Sequence, residues 1–295
     1  MPHLLKNKDL TIHIDLPDEG YAFSRFDWTG KITEVIFRGI PITGQERPDT
    51  LDENLFGKGF YNEFGIDAAL DFEEAEIGGW FHKIGIGLLQ KEGTKYLFHK
   101  KHQIRPAEFK WSGDVENIVL TCTSEPMHGY AYVLEKQILL NDKGFEILYQ
   151  LKNTGTKRIH TQEYVHNFMA LDEELIGPDY TLRLPFRIKT EGFGEAVDPE
   201  DLVKIGPESV TFKSTPSEQF FFSHLSGTES VKAQWELVHR KSQLRVRESG
   251  NFKTDKVNLW GWRHVVSPEL FFDLEIDPGE MTNWSRSYKI YSVNE

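Results

Sequence analysis

Short runs of alternating apolar and polar residues, separated by turn-forming residues, recur along the chain and constrain its fold more than any other feature. Residues 130–140 read YAYVLEKQILL and residues 145–153 read FEILYQLKN, with Asn-Asp-Lys-Gly at 141–144 between them. Two runs of period two joined by such residues predict a β-hairpin. Residues 31–37 predict another strand, which begins at a turn at Gly30.

The C-terminal part of the chain shows the same alternation. Residues 270–276 alternate, Asp-Pro-Gly-Glu at 277–280 predicts a turn, and residues 284–291 read WSRSYKIY. Strands spaced at roughly ten residues along the chain predict a sandwich or a barrel rather than βαβ units. Residues 67–76, the short acidic segment DAALDFEEAE, are the one candidate for a helix.

No fixed-period repeat, low-complexity tract or linker-like stretch divides the 295 residues. We therefore predict an all-β protein in which residues 1–295 form a single large antiparallel β-sandwich domain, since such sandwiches fold as single units at this length. Aromatic residues make up 13% of the chain. They favour strands, and their flat rings suit the apolar face of a pyranose.

Charge and cysteine content limit the classes of function. The formal net charge of -12 disfavours binding to nucleic acid or to an anionic membrane. The N-terminal segment lacks the apolar core of a secretory signal, and the single Cys122 forms neither an intramolecular disulfide nor a thiolate zinc cluster. We predict a cytoplasmic protein whose partner is a small molecule, with its oligomeric state left open.

One predicted strand carries an unusual set of side chains on a single face. If residues 159–168 are extended, the same face holds two histidines, a glutamine and two aromatics, namely His160, Gln162, Tyr164, His166 and Phe168. Buried polar groups need partners, so a concave surface that faces a ligand explains this face. A solvated sheet face with a stray histidine is the alternative that the pattern leaves open.

Two segments carry a resemblance to a known family. An Asn-Thr turn at 153–154, a short basic connection and a strand ending in His166-Asn167-Phe168-Met169-Ala170-Leu171 resemble the central motif of the galactose mutarotase (aldose 1-epimerase) superfamily. Residues 265–291 resemble that family's last catalytic strand, its Pro-Gly-Glu turn and its closing strand. The resemblance implies a divergent member with the large antiparallel sandwich called a supersandwich.

The same resemblance implies the catalytic residues. The family's histidine, which protonates the ring oxygen of the sugar, falls on His166, and its glutamate base falls best on Glu269. Pro268 precedes Glu269, and a proline in a sheet belongs at an edge or a bulge. Glu275 and Glu280 are the alternatives, although Glu280 lies in the turn and Glu275 is expected on a solvated face.

The implied reaction is the interconversion of the two anomers of a free hexose or hexose derivative. One group gives a proton to the ring oxygen while the other removes the proton of the anomeric hydroxyl, so neither a metal nor an organic cofactor is required. A non-catalytic carbohydrate-binding protein on the same scaffold is one alternative. A hexose-6-phosphate 1-epimerase is another, and it needs basic residues at the mouth of the site; the sequence alone does not place Arg25, Arg38, Arg183 or Arg187 there.

The N-terminal third departs from the family. Its sugar-binding motif, G-R-x-x-N-R-I, corresponds here to GKGFYNEFGI at 57–66. Asn62 keeps the family's asparagine, whereas Glu63 stands in place of the second arginine. An acceptor thus replaces a fixed donor, so the set of sugar hydroxyls recognised is expected to differ.

The family's second histidine corresponds to either His82 or Lys83. These neighbours lie on opposite faces of a strand, so only one of them fills the position. We favour Lys83, because its charge offsets that of Glu63. Two aromatics complete the candidate set: Tyr164 beside His166, and Trp262 from the Trp-Gly-Trp segment, whose indole either stacks on a sugar or packs in the core.

Overall fold

The computed structural model describes residues 2–292, which form strands, turns and three short 3₁₀ helices, with no α-helix in that range. The strands of the N-terminal half are β1 His3–Lys6, β2 Leu10–Asp15, β3 Lys31–Phe37, β4 Ile40–Pro41, β5 Phe60–Phe64, β6 Trp80–Lys83, β7 Gly87–Gln90, β8 Ile104–Pro106, β9 Glu108–Gly113, β10 Asn117–Thr123, β11 Tyr132–Asn141 and β12 Gly144–Asn153.

The C-terminal half continues in the same way. Its strands are β13 Ile159–Asn167, β14 Tyr180–Arg183, β15 Ala196–Val197, β16 Val203–Ile205, β17 Ser209–Phe212, β18 Phe220–Phe222, β19 Val231–His239, β20 Leu244–Thr254, β21 Val257–Trp262, β22 Val265–Leu270, β23 Phe272–Ile276 and β24 Met281–Ser292. The 3₁₀ helices are Glu53–Leu55, Leu171–Glu173 and Thr190–Gly192.

These strands form two large antiparallel sheets and two small ones. The ten-stranded sheet runs β16-β17-β14-β19-β20-β24-β12-β11-β10-β9, and the seven-stranded sheet runs β1-β2-β3-β5-β13-β23 with β4 beside β3. A four-stranded sheet, β15-β18-β21-β22, and a three-stranded sheet, β6-β7-β8, complete the described part of the chain. The predicted all-β antiparallel sandwich is confirmed.

The two large sheets pack face to face through buried aromatic rings. Phe60 of β5 lies 4.7 Å from the ring of Tyr288 on β24 and 5.4 Å from that of Phe145 on β12. Phe64 meets Trp284 of β24 at 6.2 Å. These rings belong to one continuous buried cluster that also contains aliphatic side chains from both sheets. The opposite face of the seven-stranded sheet is therefore free to carry a second layer.

The predicted central hairpin is present, with a tighter turn than the sequence indicated. Strand β11 pairs with β12 so that Asn141 faces Gly144, which leaves Asp142 and Lys143 as a two-residue turn. The strand predicted at 31–37 is also confirmed. The helix considered for 67–76 is wrong, because this segment forms turns and bends on the way to β6.

The end of the chain corrects one reading of the sequence. The turn at 277–280 does not close a hairpin, because β23 belongs to the seven-stranded sheet and β24 to the ten-stranded one. Residue 270 ends β22, so the alternating run at 270–276 spans two strands. Within the described residues, no helix is long and apolar enough to cross a membrane.

Candidate active site

A cleft of about 540 Å³ lies against the face of β13 that points away from the core. Its walls come from β13, from the small sheet that contains β18, β21 and β22, and from loops of the N-terminal third. The lining residues are Arg25, Glu46, Ile66, Asp67, Phe98, Tyr164, His166, Glu195, Gln219, Phe221, Ser223, His224, Lys256, Asn258, Trp260, Glu269 and Phe271.

The alternation of β13 decides which of its side chains enter the cleft. Tyr164 and His166 line it, as their shared face predicted, and the ring of Phe168 stacks on the His166 imidazole at 4.0 Å. Gln162 lies further along this face and binds Asp273 instead, and His160 is exposed. Of the predicted polar face of β13, the part nearest the C-terminal end of the strand, Tyr164 and His166, thus reaches the cleft.

Strand β22 brings Glu269 to the same place. It pairs with β21 in the four-stranded sheet and forms the edge of that sheet. An edge tolerates Pro268, because a proline has no N–H to give to a neighbouring strand. Isolated bridge pairing between Met169 and Val266, with both N–O distances 3.0 Å, joins this edge to the chain just after β13. The proline that precedes Glu269 is therefore compatible with its strand.

His166 and Glu269 are in direct contact at the bottom of the cleft. Their Nε2 and Oε1 atoms lie 3.3 Å apart, and each residue is only 4% exposed. The two groups therefore lie side by side, with no space for a sugar ring between them. They approach from two different sheets but meet at one point of the cleft wall.

Burial shifts the proton affinities of this pair in opposite directions. Desolvation raises the pKa of Glu269 to about 8, with Arg25 acting against that rise. Desolvation, together with the charge of Arg25, lowers the pKa of His166 well below its usual value of 6.5. Since burial disfavours both charged forms, the pair at neutral pH is a carboxylic acid beside a neutral imidazole, holding one titratable proton.

Arg25, which the sequence alone does not place in the cleft, lines it and is the cation that acts most strongly on both His166 and Glu269. Its Nε donates to Glu63 Oε2 at 2.9 Å, Nη1 to Glu46 Oε1 at 3.2 Å and Nη2 to the Tyr164 hydroxyl at 3.3 Å. A guanidinium has five N–H donors. Two of them have no partner among the described residues and remain for a ligand.

Two aromatic rings contact the Arg25 guanidinium and restrict its position. Its central carbon lies 4.4 Å from the ring centre of Phe26 and 4.6 Å from that of Phe98. Such stacking adds cation–π attraction and restricts the side chain. Tyr164 is held in the same manner, by stacking on Phe271 at 4.5 Å and by donating its hydroxyl to Glu63 at 2.7 Å.

Glu63 lies behind the cleft wall rather than in it. It is fully buried, with Arg25 on one carboxylate oxygen and the Lys83 ammonium 3.2 Å from the other. The predicted compensation of Glu63 by Lys83 is therefore present, but as a buried ion pair. Neither residue lines the cleft, so Glu63 acts on a ligand only through Arg25 and Tyr164.

Two further predicted sugar contacts point elsewhere. Asn62 faces the core, where it donates to Glu163 and accepts from the Tyr149 hydroxyl at 2.8 Å. His82 is fully buried between Asp71, at 3.1 Å, and the carbonyl oxygen of Glu125, at 2.9 Å. Both side chains are therefore bonded away from the cleft, and neither is among its lining residues.

The Trp-Gly-Trp segment contributes the other indole. Trp260 lines the cleft, with its ring edge-on to the His166 imidazole at 5.2 Å. Trp262 lies outside, where it donates to the carbonyl oxygen of Ser217 at 2.7 Å. On β21 these residues share a face with Asn258, and the pairing of β21 with β22 sets Asn258 opposite Glu269. Of the two indoles, Trp260 is therefore the one that the cleft presents to a ligand.

The remaining charges of the cleft are paired at its mouth. Lys256 Nζ lies 2.7 Å from Asp67 Oδ2 and 4.2 Å from the ring centre of Phe271. Arg38 and Arg183 bind Asp9 and Glu236 well away from the lining residues, and Arg187 is likewise outside. Among residues 2–292, no group of three or more histidine, cysteine or acidic side chains is arranged to hold a metal ion.

Strand alternation in the sequence could have identified some of these site residues but not others. The period of two along β21 assigns Asn258 and Trp260 to one face once Glu269 is placed opposite them. Arg25 had no such signal, because it lies in an irregular loop between β2 and β3. Its position is set by Glu63, which binds Arg25 in addition to the Lys83 that the sequence had paired with it.

Comparisons with known proteins were made for sequence and for structure. No model of a known sequence family and no curated protein sequence matches the chain. Solved structures do match over nearly its whole length. A galactose mutarotase related enzyme from Lactobacillus acidophilus has a TM-score of 0.63 at 13% identity, with 99% of this chain and 98% of that chain covered.

Two further solved structures agree with this one. A putative aldose 1-epimerase from Escherichia coli K12 has a TM-score of 0.63 at 10% identity, covering 99% of each chain. A protein from Synechocystis sp. PCC 6803 has a TM-score of 0.62 at 12% identity, covering 99% of this chain and 96% of that one. The chain therefore has the galactose mutarotase-like β-sandwich fold, as its sequence motifs predicted, in a divergent form.

Proposed function

We propose that the protein is an aldose 1-epimerase-like enzyme that interconverts the anomers of an unphosphorylated hexose or hexose derivative. The observation that supports this most strongly is the contact between His166 and Glu269 at the base of a cleft of about 540 Å³. A carboxyl group beside an imidazole, with one titratable proton on the pair, is suited to moving protons between two nearby oxygen atoms.

The closeness of the two groups fits the chemistry of an anomeric centre. The ring oxygen and the anomeric hydroxyl oxygen are bonded to the same carbon, C1, so they are themselves close neighbours. Two adjacent groups in one wall can serve both oxygens without straddling the ring. The ring can then lie across the cleft with its face against an aromatic side chain.

The proposed reaction conserves the protons of the pair. One group donates a proton to the ring oxygen, the other removes the proton of the anomeric hydroxyl, and the bond between C1 and the ring oxygen breaks to give an open-chain aldehyde. Rotation about the bond between C1 and C2 presents the other face of the carbonyl. The reverse transfers close the ring to the other anomer and restore both groups.

The roles follow from where the proton resides. In the ligand-free cleft Glu269 carries it, because burial raises its pKa to about 8. Transfer across the 3.3 Å contact converts the pair to imidazolium and carboxylate, the form in which His166 is the acid and Glu269 the base. Both forms hold the same number of protons, so either direction of the reaction starts from the same resting pair.

Recognition of the sugar is assigned to a small set of groups around the pair. The indole of Trp260 and the ring of Phe98 offer flat apolar surfaces, as sugar-binding sites commonly do. Arg25 offers two N–H donors to neighbouring hydroxyls, and Asn258 offers an amide. The acceptor role once assigned to Glu63 is replaced by the donor role of Arg25.

The charges of the cleft favour a neutral sugar over a phosphorylated one. A phosphate is recognised by a cluster of basic groups whose positive charge is in excess. The two cationic side chains that line the cleft, Arg25 and Lys256, are each paired with a carboxylate of the same lining, Glu46 and Asp67. Glu195 adds a further carboxylate, so the charge of the lining does not favour a phosphate.

Polarimetry of freshly dissolved α-glucose and α-galactose tests the proposal. The wild-type protein is expected to accelerate the change in optical rotation, and His166→Asn is expected to slow the catalysed rate by about 10²–10⁴-fold, the usual contribution of one acid–base group. Activity is expected to fall as the pH rises through about 8, where Glu269 loses the proton that the pair needs.

Two outcomes would overturn the proposal. Acceleration seen only with hexose 6-phosphates would reject the neutral substrate, in favour of a hexose-6-phosphate 1-epimerase. A wild-type protein that accelerates none of a panel of free and phosphorylated hexoses is not an epimerase. Calorimetric titration with the same sugars then tests the alternative of a non-catalytic carbohydrate-binding protein.

A further inference from the structure

The carbonyl groups on either side of Glu269 are both held from the core side of the sandwich. The carbonyl oxygen of Pro268 accepts a hydrogen bond from Asn167 Nδ2 at 2.7 Å. The carbonyl oxygen of Leu270 accepts one from Arg286 Nη2 at 2.8 Å. Glu269 itself points the other way, into the cleft. Strand β22 is thus fixed at the two peptide groups that flank its functional side chain.

The same two donors also hold the strand that carries His166. Asn167 is the next residue of β13, is fully buried and gives a second hydrogen bond to Glu248 Oε2 at 3.0 Å. Arg286 lies 2.7 Å from Glu163, three positions before His166 on β13, and 2.5 Å from Glu248. Asn167 therefore connects β13 directly to β22, and its bond to Glu248 fixes it to the ten-stranded sheet. Arg286 belongs to the ten-stranded sheet and binds both β22 and β13.

Sheet pairing alone does not provide this connection. Strand β13 pairs with β5 and β23, whereas β22 pairs with β21 in a different sheet. The bridge between Met169 and Val266 joins the two segments beyond the end of β13, so it lies on one side only of the His166–Glu269 contact. The distance between His166 and Glu269 then depends on the side-chain bonds of Asn167 and Arg286.

A buried ionic network is a costly way to fill a core, because hydrophobic side chains of similar volume are often as stabilising. The network here contains two glutamates and one arginine, all fully buried, and Asn167 also accepts from the Tyr288 hydroxyl at 2.9 Å. Such a set of fully partnered groups fixes positions more narrowly than apolar packing does.

We propose that Asn167 and Arg286 are positioning residues, which set the contact between His166 and Glu269 by holding the peptide groups on both sides of Glu269. This inference rests on the proposed function for its meaning in catalysis, while its structural part stands separately. Misplacement by about 1 Å is enough to lower a rate by about 10²-fold. Loss of either hydrogen bond releases β22 from β13 at the point where the reacting groups meet.

The test compares Asn167→Leu with Asn153→Leu. Asn153 is an equally buried asparagine that donates to the carbonyl oxygens of Lys157 and Ile276, at 2.8 and 2.9 Å, outside the cleft. Each change removes two amide–carbonyl hydrogen bonds, those of Asn167 being to Val165 and Pro268, and keeps the number of side-chain heavy atoms. Asn167→Leu also removes the hydrogen bonds with Glu248 and Tyr288, and Asn153→Leu removes the one that Asn153 accepts from the Gly155 N–H. Asn167→Ser, which keeps one donor in a smaller side chain, serves as a second variant if the leucine variant does not fold.

In Asn167→Leu, kcat is expected to fall by about 10²-fold with little change in KM, and the alkaline limb of the pH profile is expected to move below pH 8 as water reaches Glu269. Asn153→Leu is expected to keep the wild-type kcat and pH profile even where its thermal stability is lowered equally. Equal kcat values and equal pH profiles in the two variants would overturn the proposal.

A crystal structure of Asn167→Leu separates this inference from the proposed function. The Nε2–Oε1 distance between His166 and Glu269 is expected to exceed the 3.3 Å of the parent, whether or not the protein is an epimerase. An unchanged distance would overturn the positioning role. Failure of the proposed function gives a different result. The wild-type protein would then lack epimerase activity, while Asn167→Leu would still show the longer distance between His166 and Glu269.

Discussion

Strand β13 presents two kinds of buried carboxylate environment, one on each of its faces. On the core face, Glu163 is met by Arg286 at 2.7 Å, by the Trp284 indole N–H at 3.1 Å and by Asn62 at 2.5 Å. On the cleft face, Glu269 reaches across from β22 to His166 at 3.3 Å. Burial raises the pKa of both carboxyl groups; Arg286 opposes the rise at Glu163 through a direct ion pair, whereas Arg25 opposes it at Glu269 by its charge alone.

The difference distinguishes a structural charge from a functional one. A carboxylate that stabilises a fold is surrounded by donors, so its charge is fully compensated. The carboxyl group of Glu269 has an imidazole as its nearest titratable neighbour, and burial discourages that imidazole from taking a proton. A group held in this condition keeps a proton that it can release to a ligand, which is how perturbed groups mark functional sites.

Removal of Arg286 is expected to have the largest effect, because it takes away the cation that pairs with Glu163 on the core face of β13. Arg286→Met leaves Glu163 and Glu248 buried without their cation, and an uncompensated buried charge costs roughly 3–5 kcal/mol. Urea denaturation is expected to show a loss of at least this size in the free energy of unfolding. Arg158→Met is the control, since Arg158 forms exposed ion pairs with Glu275 and Asp277; an equal loss in both variants would contradict the distinction.

Glu269→Gln is expected to become increasingly more stable than the wild type as the pH rises. The folded chain holds the Glu269 proton up to about pH 8, whereas the unfolded chain loses it near 4.5. The stability that this proton contributes is complete below pH 4.5 and is lost as the pH approaches 8. Over that window the slope is about 1.4 kcal/mol per pH unit, or roughly 3 kcal/mol between pH 5 and 7.

Thermal denaturation of wild type and Glu269→Gln across this pH range gives the measurement. The variant is expected to gain on the wild type steadily from pH 5 to pH 7, because glutamine carries no proton to lose. Glu280→Gln, a change in the exposed turn at 277–280, is the control and is expected to follow the wild type. A constant gap between wild type and Glu269→Gln would show that the cleft carboxyl is not held protonated.

The smallest expected effect concerns the two tryptophans of β21. Trp260→Ala removes an indole from the cleft wall and is expected to weaken sugar binding about tenfold, equivalent to about 1.4 kcal/mol. Trp262→Ala is the matched control, because its indole lies outside the cleft and the affinity for sugar is expected to stay unchanged. Calorimetric titration distinguishes them; a larger loss in Trp262→Ala would restore the earlier assignment.

The sequence was most informative where a side chain's direction follows from strand alternation. The alternation that placed Tyr164 and His166 on one face held, because β13 is a regular strand whose last five residues are buried on both faces. Motif matching failed at Asn62 and His82, because a residue's place in a motif does not fix which face of its strand it occupies. The contact of β13 with β22 was also beyond the sequence, since it depends on side-chain bonds between different sheets.

A ¹³C NMR titration of the Glu269 carboxyl group, assigned by comparison with Glu269→Gln, tests the distinction between the two faces most directly. A pKa of about 8 is expected, because burial disfavours the charged form of this carboxyl group more than the charges of Arg25 and Lys256 favour it. A pKa near the ordinary value of 4.5 would contradict it. Glu269 would then be ionised at neutral pH in the empty cleft, as a structural carboxylate is.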